Sequence, residues 1–143
     1  MMVLPARPTI GDPPCHPEGM SSGRASVLVV DDLPAFRRTL RNVVAVCERF
    51  ELVGEASSGE EAIAVVERQP VDLVLMDVKM PGIGGIAAAD RIRRCHPNVV
   101  VVLLSVTPEH ALPADLLTCG AEFCHKERFG PEVLDSLCRD RSP

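Results

Sequence analysis

Neither tryptophan nor tyrosine occurs in the 143 residues, and phenylalanine occurs four times. Intrinsic fluorescence is therefore excluded as a folding probe, and calorimetry is the better choice. There is no long basic run, and the net charge is −5 at pH 7. Phosphate contacts need clustered Lys and Arg, so direct nucleic-acid binding is not expected. No apolar run approaches the roughly 20 residues that span a bilayer. The amino-terminus lacks the continuous apolar segment of a secretory signal, so neither membrane insertion nor secretion is expected. No cysteine pair has C-x-x-C spacing. The six cysteines are Cys15, Cys47, Cys95, Cys119, Cys124 and Cys138, most of them within apolar periodic segments. A thiol there behaves as a small hydrophobe, and a cytoplasmic, reducing setting fits best. Cys15-His16 lies in a proline-rich stretch without the second ligand pair of a metal site.

Apolar residues make up 46% of the chain, enough for one domain with a real core. Residues 1–24 carry five prolines and no periodic apolar pattern, which predicts a disordered leader. Residues 25–139 form the predicted domain and 140–143 a short tail. Within the domain, "SVLVV", "ELVGEA", "VDLVLM", "NVVVVLLS" and "AEFCHK" are short apolar runs. Runs without strict alternation suit strands buried on both faces, as in parallel sheets. Helical spacing separates them. It is marked by Phe36, Leu40, Val43, Val44 and Cys47; by Ala62, Ile63 and Val66; by Gly85, Ala89 and Ile92; by Leu112, Leu116 and Leu117; and by Val133, Leu134 and Leu137. Ser58 with Glu61 is a capping-box pattern, and Pro131 suits a first turn. Five strand–helix repeats predict an α/β fold, a parallel sheet with five helices on both its faces. Pro113 disfavours helical geometry at Leu112, so the fourth helix is predicted to begin near Pro113 and to leave 109–112 looser.

In such a sheet the carboxyl ends of all strands share one edge. The first strand ends on Asp31 and Asp32, the third on Asp77, the fourth on Ser105 and the fifth near Lys126. Each has a plain role available. Asp31 or Asp32 could cap the helix opened by Pro34, Asp77 could begin the turn at Pro81-Gly82, Ser105 could start a turn, and Lys126 could be a solvated charge. Their coincidence at one edge favours a site. Like charges at about 5 Å with an effective dielectric near 20 repel by roughly 3 kcal/mol per pair, which a divalent cation would offset. Carboxylates with waters form a hard-oxygen site that suits Mg²⁺. A carboxylate beside Mg²⁺ and an ammonium is a plausible nucleophile towards phosphorus.

From about Val27 to Leu137 the sequence resembles the receiver domain of bacterial two-component response regulators. "VLVVDD", "DLVLMDVKMPG", "VVVLLS" and "GAEFCHK" appear in the family's order and spacing. The resemblance implies the flavodoxin-like receiver fold, a doubly wound five-stranded sheet of order 2-1-3-4-5. It implies Asp77 as phospho-acceptor from a histidine kinase or phosphotransfer protein. Asp32 would be the direct Mg²⁺ ligand, with Asp31 acting through water and the Lys79 carbonyl joining the shell. Ser105 matches the switch hydroxyl, Lys126 the phosphoryl-pairing lysine and Phe123 the aromatic switch. Val106 stands where many receivers carry Ala or Gly, Lys79 adds a cation beside the site, and Glu127 replaces a common proline.

Only five residues follow the fifth helix, so a stand-alone receiver is expected, one that catalyses only its own phosphoryl transfer and autodephosphorylation. Output would run through contacts with an unidentified downstream protein, and a phosphorylation-dependent homodimer is compatible with this. Two alternatives remain: a constitutive receiver-like module that is never phosphorylated, and a Mg²⁺-dependent phosphohydrolase with an Asp nucleophile. The hydrolase would want a second acid where Lys79 stands.

Overall fold

The computed structural model describes residues 23–106 and 119–141. Its elements in chain order are β1 (Ala25–Val30), α1 (Pro34–Ala45), β2 (Phe50–Ala56), α2 (Gly59–Arg68), β3 (Leu73–Asp77), α3 (Gly84–Cys95), β4 (Val100–Ser105), β5 (Glu122–His125), a 3₁₀ turn (Lys126–Arg128) and α4 (Pro131–Arg141). The sheet is parallel throughout, with strand order β2-β1-β3-β4-β5. α4 is the fifth of the expected helices. The fourth, on Leu112, Leu116 and Leu117, lies outside the described residues, as do its expected start near Pro113, the looser 109–112 and most of the 1–24 leader.

The unbroken apolar runs are explained by two cores, one on each face of the sheet. Val27, Val29, Leu73, Leu75, Val100, Val102 and Leu104 pack with Leu40 and Val44 of α1 and Leu134 of α4. Their alternates Leu28, Val30, Val74, Met76, Val101 and Leu103 pack with Ala62 and Val65 of α2 and Ala88, Ala89 and Ile92 of α3. Strand side chains alternate between faces, so a run apolar at every position is what two covered faces require. Asp72 ties the opposite edge of the sheet: its carboxylate accepts the Ser26 N–H at 2.8 Å and its own N–H donates to the Ser26 carbonyl at 2.9 Å. Among the described cysteines Cys47 and Cys119 are buried and Cys124 half-buried, and none of the described cysteines is in a disulfide. Cys95 departs from the small-hydrophobe expectation by being exposed. No described helix is long and apolar enough to cross a membrane.

α2 starts on half of the expected capping box. The Ser58 hydroxyl accepts the Glu61 N–H at 3.1 Å. The Glu61 carboxylate, however, accepts from the Ser57 N–H at 2.8 Å rather than from Ser58. That hydrogen bond holds the Glu61 carboxyl below its ordinary pKa. Ser58→Ala removes the cap and should lower the unfolding free energy by about 1 kcal/mol, read by urea titration followed by circular dichroism. An unchanged midpoint would show that the cap contributes nothing.

Candidate functional site

The alternation that fills the two cores also aims the polar groups. Asp77 closes β3 with the parity of Leu73 and Leu75, which places it on the α1/α4 face. Asp31 follows β1 with the parity of Val27 and Val29, and Lys126 follows β5 with that of Cys124. Three side chains from three strand ends therefore meet on one side of the sheet. The Lys126 ammonium lies 2.8 Å from Asp31 Oδ2 and 3.1 Å from Asp77 Oδ1. Its side chain is only 10% exposed, and that of Asp31 is fully buried, so Lys126 is not a solvated surface charge. One oxygen from each of Asp31, Asp32 and Asp77 falls within 4.8 Å of the others, with Asp31 and Asp77 buried.

Asp31 is held from every side. Its second oxygen accepts the Leu33 N–H at 2.9 Å. Its N–H donates to the Ala56 carbonyl at 3.1 Å, and its own carbonyl accepts from Arg37 Nη1 at 2.7 Å. Arg37 is fixed in turn by Glu55 at 3.3 Å, and Arg41 reaches the same carboxylate at 2.7 Å. The plain alternative role, in which Asp31 or Asp32 caps α1, is not observed. The N-cap is Leu33, without a side-chain cap bond, and Pro34 occupies the first turn. Asp77 is seated differently, by close backbone packing. The Val78 N–H donates to the Leu104 carbonyl at 2.9 Å, and Gly85, in the first turn of α3, donates to the Val78 carbonyl at 2.9 Å. A Cβ on Gly85 would overlap the Asp77 carbonyl, so α3 can start this close only on glycine. Gly82, with φ of 85°, turns the chain after Pro81.

The electrostatics differ between the ions. Burial, and next the Asp31 carboxylate, raise the Asp77 carboxyl above its ordinary pKa; the Lys126 ammonium opposes this without cancelling it. Burial also works against the charged form of Lys126, but its hydrogen bonds and attraction to Asp31 and Asp77 outweigh burial and leave its pKa raised. The result is a protected, comparatively basic carboxylate beside a permanent cation and an acidic pair able to hold a divalent cation.

Ser105 ends β4 and is buried. Phe123 is half-buried on the opposite face, paired with Leu103 and edge-to-face with His125, the ring centroids 5.2 Å apart. Lys79 is exposed on the loop after β3, and Val106 is 67% exposed. Three residues had no functional reading in the sequence: Arg37, Gly85 and Phe36, whose ring lies 4.2 Å from the Lys126 ammonium. Phe36 and Gly85 were legible only as positions on apolar helix faces. A cavity of about 320 Å³ lined by Gln69, Pro70, Cys95 and His96 among others lies at the opposite edge of the sheet, away from the carboxylates.

Comparison with known proteins points to one family. The family model for the response regulator receiver domain matches residues 27–138. Response regulator GacA of Pseudomonas viridiflava is 43% identical over 95 residues, covering 66% of this chain and 44% of that protein. Response regulator UvrY of Escherichia coli strain K12 is 41% identical over 114 residues, 80% of this chain and 52% of that one. The chain thus spans about half the length of these relatives. Among solved structures, a chain of the CheX–CheY–BeF3–Mg²⁺ complex from Borrelia burgdorferi superposes with a TM-score of 0.74 at 27% identity, over 85% of this chain and 93% of that one.

The raised Asp77 pKa has a consequence for stability. The native state keeps the Asp77 proton over a pH range in which the unfolded chain has lost it, so this carboxyl makes stability fall as pH rises through that window. Asp77→Asn removes the effect. In buffer free of divalent cations the variant should melt at a higher temperature than its parent at pH 7. The difference should shrink below the ordinary carboxylate value of about 3.9. A lower Tm for the variant at pH 7 would contradict the electrostatic account.

Proposed function

The chain belongs to the response regulator receiver domain family, and on that premise we propose that Asp77 is its phospho-acceptor, charged by a histidine kinase or phosphotransfer protein. The observation that carries this reading is the buried Lys126 ammonium bridging Asp31 and Asp77 at the carboxyl edge of the sheet. An Asp77 oxygen attacks the phosphorus of a phosphohistidine. The P–O bond forms as the P–N bond breaks, and the leaving imidazole keeps the electron pair and takes up a proton. Burial raises the basicity of Asp77 and so its strength as a nucleophile. Lys126 faces the oxygens on which charge collects. The donor set of Asp31, Asp32 and Asp77 fits a hard cation, with the Lys79 carbonyl as a further ligand. Mg²⁺ bound there supplies positive charge against the phosphoryl oxygens.

Ser105 and Phe123 form the proposed switch. The Ser105 hydroxyl turns towards the new phosphoryl oxygens, and Phe123 moves into the space it leaves. The output of this segment then runs through protein contacts rather than nucleic acid, including a homodimer favoured by phosphorylation. Thr107 and the rest of 107–118, part of the expected output face, lie outside the described residues. The constitutive-module alternative would leave the intact Asp77–Ser105–Lys126 set unused, and the hydrolase alternative meets the exposed Lys79 where a second acid is wanted.

Incubation with acetyl phosphate and Mg²⁺, read by intact mass and peptide mapping, separates the three. A single stable phosphoryl gain on Asp77, abolished by chelation and sharply reduced in Asp32→Ala, is expected. No gain would favour the constitutive module, and rapid multiple turnover the hydrolase.

The chain's own removal of the phosphoryl group is proposed to be slow. Lys79 can pair with phosphoryl oxygens, and the exposed Val106, next to Ser105, can crowd the path of an attacking water. Lys79→Asn with Val106→Ala should shorten the phosphoryl lifetime, measured after removal of donor. An unchanged lifetime would remove the shielding argument.

A further inference from the structure

Lys126 is held by more than its two carboxylates. An ammonium has three N–H donors. Asp31 and Asp77 receive two of them, at 2.8 and 3.1 Å. The Phe36 ring lies 4.2 Å from the nitrogen, centroid to Nζ, within the reach of a cation–π contact. Such a contact strengthens when desolvated, and the Lys126 side chain is only 10% exposed.

The position of Phe36 is set by the fold. It lies in the first turn of α1, where its N–H donates to the Leu33 carbonyl at 3.1 Å, and its side chain packs against the α1/α4 core. The next residue, Arg37, grips the Asp31 carbonyl at 2.7 Å. One turn of helix thus touches both the cation and the backbone of the acid it pairs with. Val43, one residue before buried Val44, packs on the same core, whereas the Phe36 ring also faces the Lys126 ammonium.

We propose that Phe36 is a positioning residue for the phosphoryl-accepting reaction: its ring face fills the third direction around Lys126 and keeps the ammonium turned towards Asp77. This inference rests on the reading of Asp77 as phospho-acceptor. Without the ring, Lys126 keeps its charge and its bond to Asp31 but gains room to swing away from the reacting oxygens. Phosphoryl transfer depends on such positioning, because the protein contributes orientation and charge rather than covalent help beyond the nucleophile.

Phe36→Leu keeps an apolar side chain in the core and removes the ring face; Phe36→Tyr keeps the face. Each full-length variant, its fold checked by circular dichroism, is compared with the parent in acetyl phosphate and saturating Mg²⁺. The initial rate of phosphorylation on Asp77 is measured, and in parallel the Mg²⁺ dissociation constant by calorimetry. Phe36→Leu should phosphorylate about tenfold more slowly with Mg²⁺ affinity unchanged, and Phe36→Tyr should return most of the rate. A merely structural role would make the rate follow the loss of thermal stability instead, whichever residue replaces Phe36. A Leu variant as fast as the parent would overturn the inference, as would a Tyr variant as slow as the Leu variant. If the parent itself takes no phosphoryl group on Asp77, the underlying reading fails first and the inference falls with it.

Discussion

The structure depends on one buried ion set: a lysine ammonium held between two carboxylates that have almost no access to water. Taking charges out of water is costly, and a buried pair rarely repays that cost in stability. Here the set is not balanced. Asp77 remains harder to ionise than a free carboxyl even with Lys126 beside it, because burial and Asp31 outweigh the attraction. A chain selected for stability alone would gain by replacing such a group with an apolar residue of similar size. Its retention at the end of β3 makes sense for a carboxylate whose basicity is used, and for a site completed by a cation.

The rest of the fold serves that arrangement. Two apolar cores fix strand parity, and parity aims Asp31, Asp77 and Lys126 to one side. A slip of one residue in β1 or β3 would turn a carboxylate to the other face and expose its apolar neighbours. Arg37 and Glu55 lock the backbone of Asp31 from α1 and β2. Glycine at position 85 lets α3 start directly against Asp77. The rigid half of the site is thus built on α1, β1 and β3. Phe123 packs on the opposite face of the sheet, against the core beneath α2 and α3.

Much of this was legible in the sequence. Valine- and leucine-rich runs without alternation mark doubly covered strands, and the strand order followed from the family resemblance carried by the four motifs. Three acids at two strand ends and the lysine after β5 marked the candidate site. What the sequence hid were contacts between residues far apart in the chain or masked by an ordinary pattern. Phe36 reads as a helix core position, since nothing local tells a ring packed on aliphatic neighbours from one packed on an ammonium 90 residues later. Arg37 reads as one charge among several on α1, and its grip on a backbone carbonyl leaves no compositional trace. The cap of α2 was half right for a related reason. Ser57, Ser58 and Glu61 allow two exchanges of hydrogen bonds, and the choice between them depends on where β2 delivers the chain.

The central claim is that Asp77, with Lys126 and the acidic pair, forms one site for a metal and a tetrahedral phosphoryl group. Fluorine NMR of the full chain with beryllofluoride tests it without any phosphodonor or turnover. Bound fluorine resonances should appear only when Mg²⁺ is present and should vanish in Asp77→Asn. Resonances that persist in Asp77→Asn, or none at all in the native chain with Mg²⁺, would contradict the account.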